Sequence, residues 1–386
     1  MKKPARSPFR PARLAACLAG LGLLLSACGP RVPAGEIPVG EYGSLTGSDA
    51  TFGVSTDQGI RLAVAEVNAA GGIDGKKVDL IAEDDEGKPE EAAVVATKLI
   101  TQDGVKAVLG EVASSNSLAA APICQAHQVP MISPSSTNVA VTQKGDYIFR
   151  VCFIDSFQGK VMADFAFHQL KARRAAIFRD EKSDYSVGLS SVFAQVFKRL
   201  GGTIVSDQSY SAGDMDFKAQ LAQMRGSRPD VIYVPGYYTE VGLIAKQARD
   251  LGMKQPLLGG DGWDSSQLYS IGGSALDGCY FSDHYSAESK DPRVVSFLAK
   301  YRAAYGGKTP DALAVLGYDA ANVLFAAMKR AKSLSGPDLR DAIAATRDFP
   351  GVSGNITLDK DRNAVKPAVV LRIENGAAHY VATIQP

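Results

Sequence analysis

The 386-residue sequence predicts an α/β protein of two doubly wound lobes, each a parallel sheet with helices on both faces. Three observations carry this expectation. Short apolar runs rich in Val, Ile and Leu alternate with segments whose apolar residues recur at helical spacing, which is the pattern of strands joined by crossover helices. The alternation runs from 37 to 150 and then repeats from 175 to 282 in the same order. Most strand-like runs end in a Gly-, Ser- or Pro-bearing turn, where such sheets collect their ligand-binding loops.

The elements follow in order. A strand at 37–42 precedes a helix at 56–70, where Ile60, Ala63, Val64 and Val67 share one face and Gly71-Gly72 ends it. A strand at 78–82 leads to a helix at 89–102, with Pro89 in its first turn and Gly104 beyond its end. A strand at 105–109, a helix at 117–127, and strands at 131–132 and 147–152 complete the first half. The second half reads helix 158–171, strand 175–178, helix 186–200, strand 203–210, helix 217–225, strand 231–234, helix 240–251, then strands at 256–258 and 278–282. Helices at 294–305, 311–331 and 337–346 and β segments at 368–373 and 379–384 close the chain.

The N-terminus has its own pattern. Lys2, Lys3, Arg6, Arg10 and Arg13 precede an apolar run at 14–25, then Leu25-Ser26-Ala27-Cys28. This is the three-part layout of a secretory signal peptide, and the run is shorter than the roughly 20 residues of a membrane span. Its last four residues resemble the lipobox of bacterial lipoproteins. That resemblance implies a signal peptide at 1–27, cleavage before Cys28, and a lipid on the Cys28 sulfur. Residues 28–36, rich in Pro and Gly, then serve as a tether. The expected address is the periplasm or cell surface, with the membrane engaged only through the lipid. No later apolar run is expected to approach spanning length.

With the leader removed, the net charge falls from +1 to −4, because five basic residues and no acidic ones leave with it. A mildly acidic chain without a basic stripe argues against nucleic-acid partners. Cys124, Cys152 and Cys279 form no metal-ligand spacing and read either as buried thiols or as one Cys124–Cys152 disulfide.

Enzyme signatures are missing from the sequence. His127, His168, His284 and His379 are not within helical reach of one another, and no phosphate loop, dinucleotide fingerprint or nucleophile elbow occurs. No metal or cofactor is expected, and Asp84-Asp85-Glu86 reads as a solvated loop.

Binding chemistry is better represented. The strand at 105–109 runs into Gly110-Glu111-Val112-Ala113-Ser114-Ser115-Asn116 and a helix, and the strand at 131–132 runs into Ser133-Pro134-Ser135-Ser136-Thr137. Hydroxyls and unpaired N–H groups at a helix start suit a carboxylate. In the second half, 231–234 leads to Pro235-Gly236-Tyr237-Tyr238, and 257–258 leads to Gly259-Gly260-Asp261-Gly262-Trp263. Asp261 at a strand end can take an ammonium, and Tyr237 and Trp263 can enclose an apolar group. Donors on one side and an acid on the other match a zwitterionic amino acid.

Further motifs are Gly43-Ser44-Leu45-Thr46-Gly47, Val67-Asn68-Ala69-Ala70-Gly71-Gly72-Ile73-Asp74-Gly75, Asp155-Ser156-Phe157-Gln158-Gly159, Asp184-Tyr185-Ser186-Val187-Gly188 and Gly317-Tyr318-Asp319-Ala320. With these, residues 37–386 resemble the periplasmic binding proteins of branched-chain amino-acid ABC transporters, of the leucine/isoleucine/valine-binding type. The resemblance implies a type I periplasmic-binding-protein fold with a three-segment hinge near 153–155, 282–284 and 354–359. Lobe 1 is then 37–153 with 285–355, and lobe 2 is 154–284 with 356–386. It implies a monomer that binds an amino acid by hinge closure and delivers it to an ABC permease and ATPase, and no enzymatic activity.

Residue by residue, the resemblance gives Ser114 and Thr137 as hydroxyls for the ligand carboxylate, with backbone amides near Ser115 and Thr137. It gives the Ser135 carbonyl as an ammonium acceptor and Asp261 as its acidic partner. Tyr237 and Tyr185 line the cleft. Phe52 stands where a Tyr is frequent, and Trp263 where the prototype is small, so the side-chain pocket is expected to be narrowed. Glu111 is expected near that pocket. A sensor of the same fold, or a binder of an amide or another small carboxylate, is the alternative.

Overall fold

The computed structural model describes residues 1–2 and 35–386. The expected signal peptide, the lipid-bearing Cys28 and nearly all of the tether lie outside the described residues.

Two sheets organise the chain. The first holds β1 (Ile37–Gly43), β2 (Val78–Asp84), β3 (Val108–Leu109), β4 (Met131–Ser133) and β5 (Ile148–Arg150), all parallel, in the order β2-β1-β3-β4-β5. The second holds β6 (Arg174–Asp180), β7 (Thr203–Tyr210), β8 (Val231–Tyr233), β9 (Leu257–Gly259) and β10 (Tyr280–Asp283) in the order β7-β6-β8-β9-β10. Counted within each sheet, both orders are 2-1-3-4-5. The repeated rhythm of the sequence is thus a repeated topology, and each sheet has its switch point beside its first strand, where ligands of such sheets bind.

Helices α1 (Ala50–Ala69), α2 (Pro89–Thr101) and α3 (Ser114–Ala126) connect the first sheet, and α4 (Asp155–Asp164) follows it. Helices α5 (Asp184–Arg199), α6 (Lys218–Gly226), α7 (Tyr238–Asp250) and α8 (Ser266–Gly272) connect the second. The expected helix at 158–171 ends early as α4 and continues as a π-helical turn, Phe165–Gln169. Helices α1 and α3 begin before their expected starts, at Ala50 and Ser114, ahead of the periodic apolar stripe.

After β10 the chain returns to the first lobe as α9 (Pro292–Ala304), α10 (Ala312–Arg330) and α11 (Gly336–Ala344). Helix α10 has a mean hydropathy of 1.3 over a window long enough to span a bilayer, against the expectation that no such run follows Cys28. It is a core helix, with 78% of that window buried. It lies against α1 at close range: a Cβ on Gly59 would stand 2.0 Å from the Ala314 carbonyl oxygen, and one on Gly317 would stand 2.4 Å from that of Thr56. Glycine at both positions lets the two backbones approach.

A small antiparallel sheet follows, β11 (Phe349–Gly351), β12 (Gly354–Leu358) and β13 (Ala364–Val365). This corrects the third expected crossing. Ile356, Leu358 and Ala364 are buried in the first lobe's core, the Arg150 N–H donates to the Arg362 carbonyl (3.2 Å), and Arg362 Nη2 donates to the Thr142 carbonyl (2.8 Å). Alternating apolar residues in β12 hold the chain on lobe 1 past 356. It joins the second sheet only at β14 (Ala368–Glu374), which runs antiparallel to β10 and to β15 (Ala377–Ile384). Cys124, Cys152 and Cys279 are free and buried, each in a lobe core.

Candidate functional site

The first lobe's contribution is built by two turns at the C-terminal ends of β3 and β4. Three serines pin these turns together. Ser133 Oγ donates to the Glu111 carbonyl (2.7 Å) and accepts from the Ser136 N–H (2.9 Å). Ser136 Oγ lies 2.9 Å from the Glu111 carbonyl, 3.0 Å from that of Val112 and 2.7 Å from Ser117 Oγ. The alternate hydroxyls differ: Ser135 Oγ and Thr137 Oγ1 are buried with no hydrogen-bond partner among the described residues. Ser114 Oγ accepts from the Asn138 N–H (3.2 Å). Helix α3 starts at Ser114 with no side-chain cap on its first N–H groups, so its positive end faces these turns.

Glu111 braces this edge from behind. Its carboxyl group accepts from the Ser44 N–H (3.1 Å), the Ser44 hydroxyl (2.8 Å) and the Ala113 N–H. Burial, reinforced by the charge of Asp85, holds it well above the usual carboxylate range. Its side chain lines no part of the cavity described below, although its neighbour Val112 does.

The second lobe contributes a fixed acid. Asp261, 5% exposed, follows β9. Gln158 Nε2 (2.7 Å) and the Tyr185 hydroxyl (3.0 Å) donate to its Oδ1, and His284 Nε2 lies 3.0 Å from its Oδ2. Gly260 makes this arrangement feasible, since a Cβ there would stand 2.4 Å from the Tyr185 hydroxyl and 2.7 Å from Gln158 Nε2. Burial lowers the His284 imidazole to about 4, against the pull of Asp261, so the ring is neutral near pH 7.

The two edges meet over a small cavity lined by Phe52, Val112, Ser135, Tyr185, Tyr237, Asp261, Gly262 and Leu313. Its walls are aromatic. Tyr185 stacks on Tyr237 (5.5 Å between centroids, 15°), and Phe52 meets Tyr237 edge-on (5.4 Å, 86°). The lobes also bond directly. The Tyr238 hydroxyl donates to the Ser48 carbonyl (2.6 Å), the Ala312 N–H donates to Asp264 (2.6 Å), and Ser115 Oγ donates to Asp184 (2.7 Å). These cross-lobe contacts define a closed conformation.

Five of the nine expected site residues line the cavity: Phe52, Ser135, Tyr185, Tyr237 and Asp261. Ser114 and Thr137 sit beside the lining residues Val112 and Ser135, and the Ser115 side chain is turned to the cross-lobe bond. Trp263 is the correction. It is fully buried in the second lobe's core, beneath Gly259 and near Phe281, with its Nε1–H donating to the Val234 carbonyl (2.9 Å). It anchors the Asp261 turn from below and does not narrow the cavity. Sequence reading missed Val112, Leu313, Gln158 and His284. Gln158 lies in a quoted motif and Val112 in a strand-end turn, so both carried a signal. Leu313 comes from a remote helix and carried none.

Two lobes closed over a cavity with a hydroxyl edge on one side and a held carboxylate on the other define a hinged small-molecule binding protein. The chain belongs to the periplasmic binding protein family, whose model matches residues 36–378. This membership makes it an exported protein of the periplasmic type. A leucine binding protein LivK from Thermotoga maritima superposes with a TM-score of 0.86 at 40% identity, covering 91% of this chain and 99% of that one. The branched-chain amino acid transporter substrate binding protein LivJ from Streptococcus pneumoniae, in complex with isoleucine, gives 0.86 at 37% identity, covering 91% and 100%. A Leu/Ile/Val-binding protein homolog from Brucella melitensis is 32% identical over 299 residues, 77% of this chain and 80% of that protein.

Proposed function

We propose that this protein is the amino-acid receptor of an ABC importer and takes a free α-amino acid with an aliphatic or aromatic side chain. The observation that carries the reading is that one small cavity sets the Ser135 turn of the first lobe against the held Asp261 carboxylate of the second. In this reading Ser114, Thr137 and the first N–H groups of α3, including that of Ser115, take the ligand carboxylate. The Ser135 carbonyl and Asp261 take its ammonium. Phe52, Val112, Leu313, Tyr185 and Tyr237 surround its side chain. LivJ, at 37% identity, is in complex with isoleucine, which supports a ligand of this size and class.

The mechanism is hinge closure. Contacts to both edges exist only when the lobes meet, so a ligand shifts the population toward the closed form. The closed form then presents a joined surface to the permease, whose partner ATPase drives uptake. The lobes in this reading are 37–153 with 285–365 and 154–284 with 366–386, and lipid on Cys28 keeps the monomer at the membrane. Calorimetric titration of the purified protein with the protein amino acids and with matched carboxylates and amides tests the reading. Tight binding of isoleucine, leucine, valine or an aromatic amino acid is expected. Equal affinity for the matched carboxylate without its amine would sink it.

A further inference from the structure

His284 lies where the binding site meets the hinge. It follows β10 at the second crossing between lobes, and its ring stacks on Phe153 at the first crossing (3.7 Å between centroids, 22°). It is buried, at 2% exposure. Its Nε2 lies 3.0 Å from Asp261 Oδ2, while Nδ1 has no partner among the described residues. An ionised carboxylate only accepts, so a neutral ring in this pose carries its proton on Nε2. Asp261 therefore receives three donors from its own lobe: Gln158, Tyr185 and His284.

We propose that His284 is a positioning residue for the ammonium-binding acid: its Nε2–H holds the Asp261 carboxylate aimed into the cavity, and its stack on Phe153 ties that aim to the hinge. The inference rests on the reading that Asp261 takes the ligand's ammonium. The surroundings favour such a donor. Asp155, Asp264 and Asp283 all lie near enough to Asp261 to act on it or be acted on by its charge. Lys366 is the nearby cation, and it is buried and bonded to Ser353 Oγ. A buried polar group left without hydrogen bonds is costly, so a carboxylate in this site needs donors to hold it in place. A neutral imidazole supplies one without adding a positive charge that would repel an ammonium.

Two substitutions separate donor from ring. His284→Phe keeps an aromatic surface for Phe153 and removes the donor. His284→Gln loses the ring and places an amide N–H near the Nε2 position. Isoleucine, or the tightest binder among the protein amino acids, is titrated against wild type and both variants from pH 5 to 9, with thermal midpoints recorded in parallel. A hydrogen bond to a charged group contributes about 1.5–3 kcal/mol, so His284→Phe is expected to weaken binding about ten-fold or more at pH 7. His284→Gln should retain an affinity within about three-fold of wild type. Unchanged binding by His284→Phe, or equal impairment of both variants, overturns the inference while leaving the functional reading intact. A wild type that binds no amino acid at any pH overturns both.

Discussion

The two lobes share a strand order and differ at their strand ends. In the first, the turns after β3 and β4 are cross-pinned by Ser117, Ser133 and Ser136, and the intervening Ser135 and Thr137 keep free hydroxyls. In the second, the turn after β9 carries one carboxylate held by three side chains from separate elements. A repeated scaffold thus presents opposite chemistries because the loops, and not the sheets, set them. The first edge is made locally by neighbouring turns, whereas the second is assembled from α4, α5 and the start of the hinge.

That contrast orders what substitutions should do. The largest effect belongs to Asp261→Ala. Removing one partner of a buried charged pair costs roughly 2–5 kcal/mol, so amino-acid affinity should fall about thirty-fold or more. The thermal midpoint should change little, because the three donors are left beside a cavity that water can enter. Calorimetry together with a melting curve checks both halves, and unchanged affinity would remove Asp261 from the ammonium's site.

On the first edge the same experiment should split two hydroxyls that sequence cannot tell apart. Ser136→Ala leaves the Glu111 and Val112 carbonyls short of a buried donor, at about 1–3 kcal/mol, and should show mainly as lost stability. Thr137→Val keeps the shape and removes only the unpartnered hydroxyl. It should leave the melting curve in place and weaken binding about five- to ten-fold, the value of roughly one net hydrogen bond. If Thr137→Val melts early and binds normally, the division into pinning and free hydroxyls is wrong.

The same division explains what was legible in the sequence. Lobe topology was readable because strand and helix periods differ and the whole pattern repeats. Both edges were readable because Ser-, Gly- and Asp-bearing turns follow apolar strands. Trp263 was misplaced because a residue next to Asp261 at a strand end can point up to the cleft or down to the core. Backbone geometry decided it, and a short 3-10 turn, Asp261–Trp263, sends the ring down. Leu313 reaches the site only through the return of the chain across the hinge, and His284 only through the pairing of β10 beside β9, neither of which a local pattern encodes. The late third crossing has the same origin: β12 and β13 belong to the first lobe by tertiary packing alone.

Asp155 gives the most specific test, because it is the counterexample to Asp261. It begins α4 at the first crossing, its N–H donates to the Thr137 carbonyl (2.9 Å), and neither carboxyl oxygen has a partner. Burial pushes it up to about 8; the nearby Thr137 hydroxyl works against that rise, and the charge of Asp261 adds to it. In the unfolded chain this carboxyl titrates near its ordinary value of 3.8. Between those two values the folded state holds a proton that the unfolded state releases, so this group makes stability fall as pH rises through the window. It contributes no slope below about 4 or above about 8. Asp155→Asn removes the titration while keeping a side chain suited to a helix start. The variant's stability relative to wild type should therefore grow steadily from pH 4 to pH 8 in denaturant midpoints, since the other buried acids are common to both proteins. Parallel curves across that range would mean that Asp155 is ionised in the folded protein, and that an acid at this seam needs no donors where Asp261 has three.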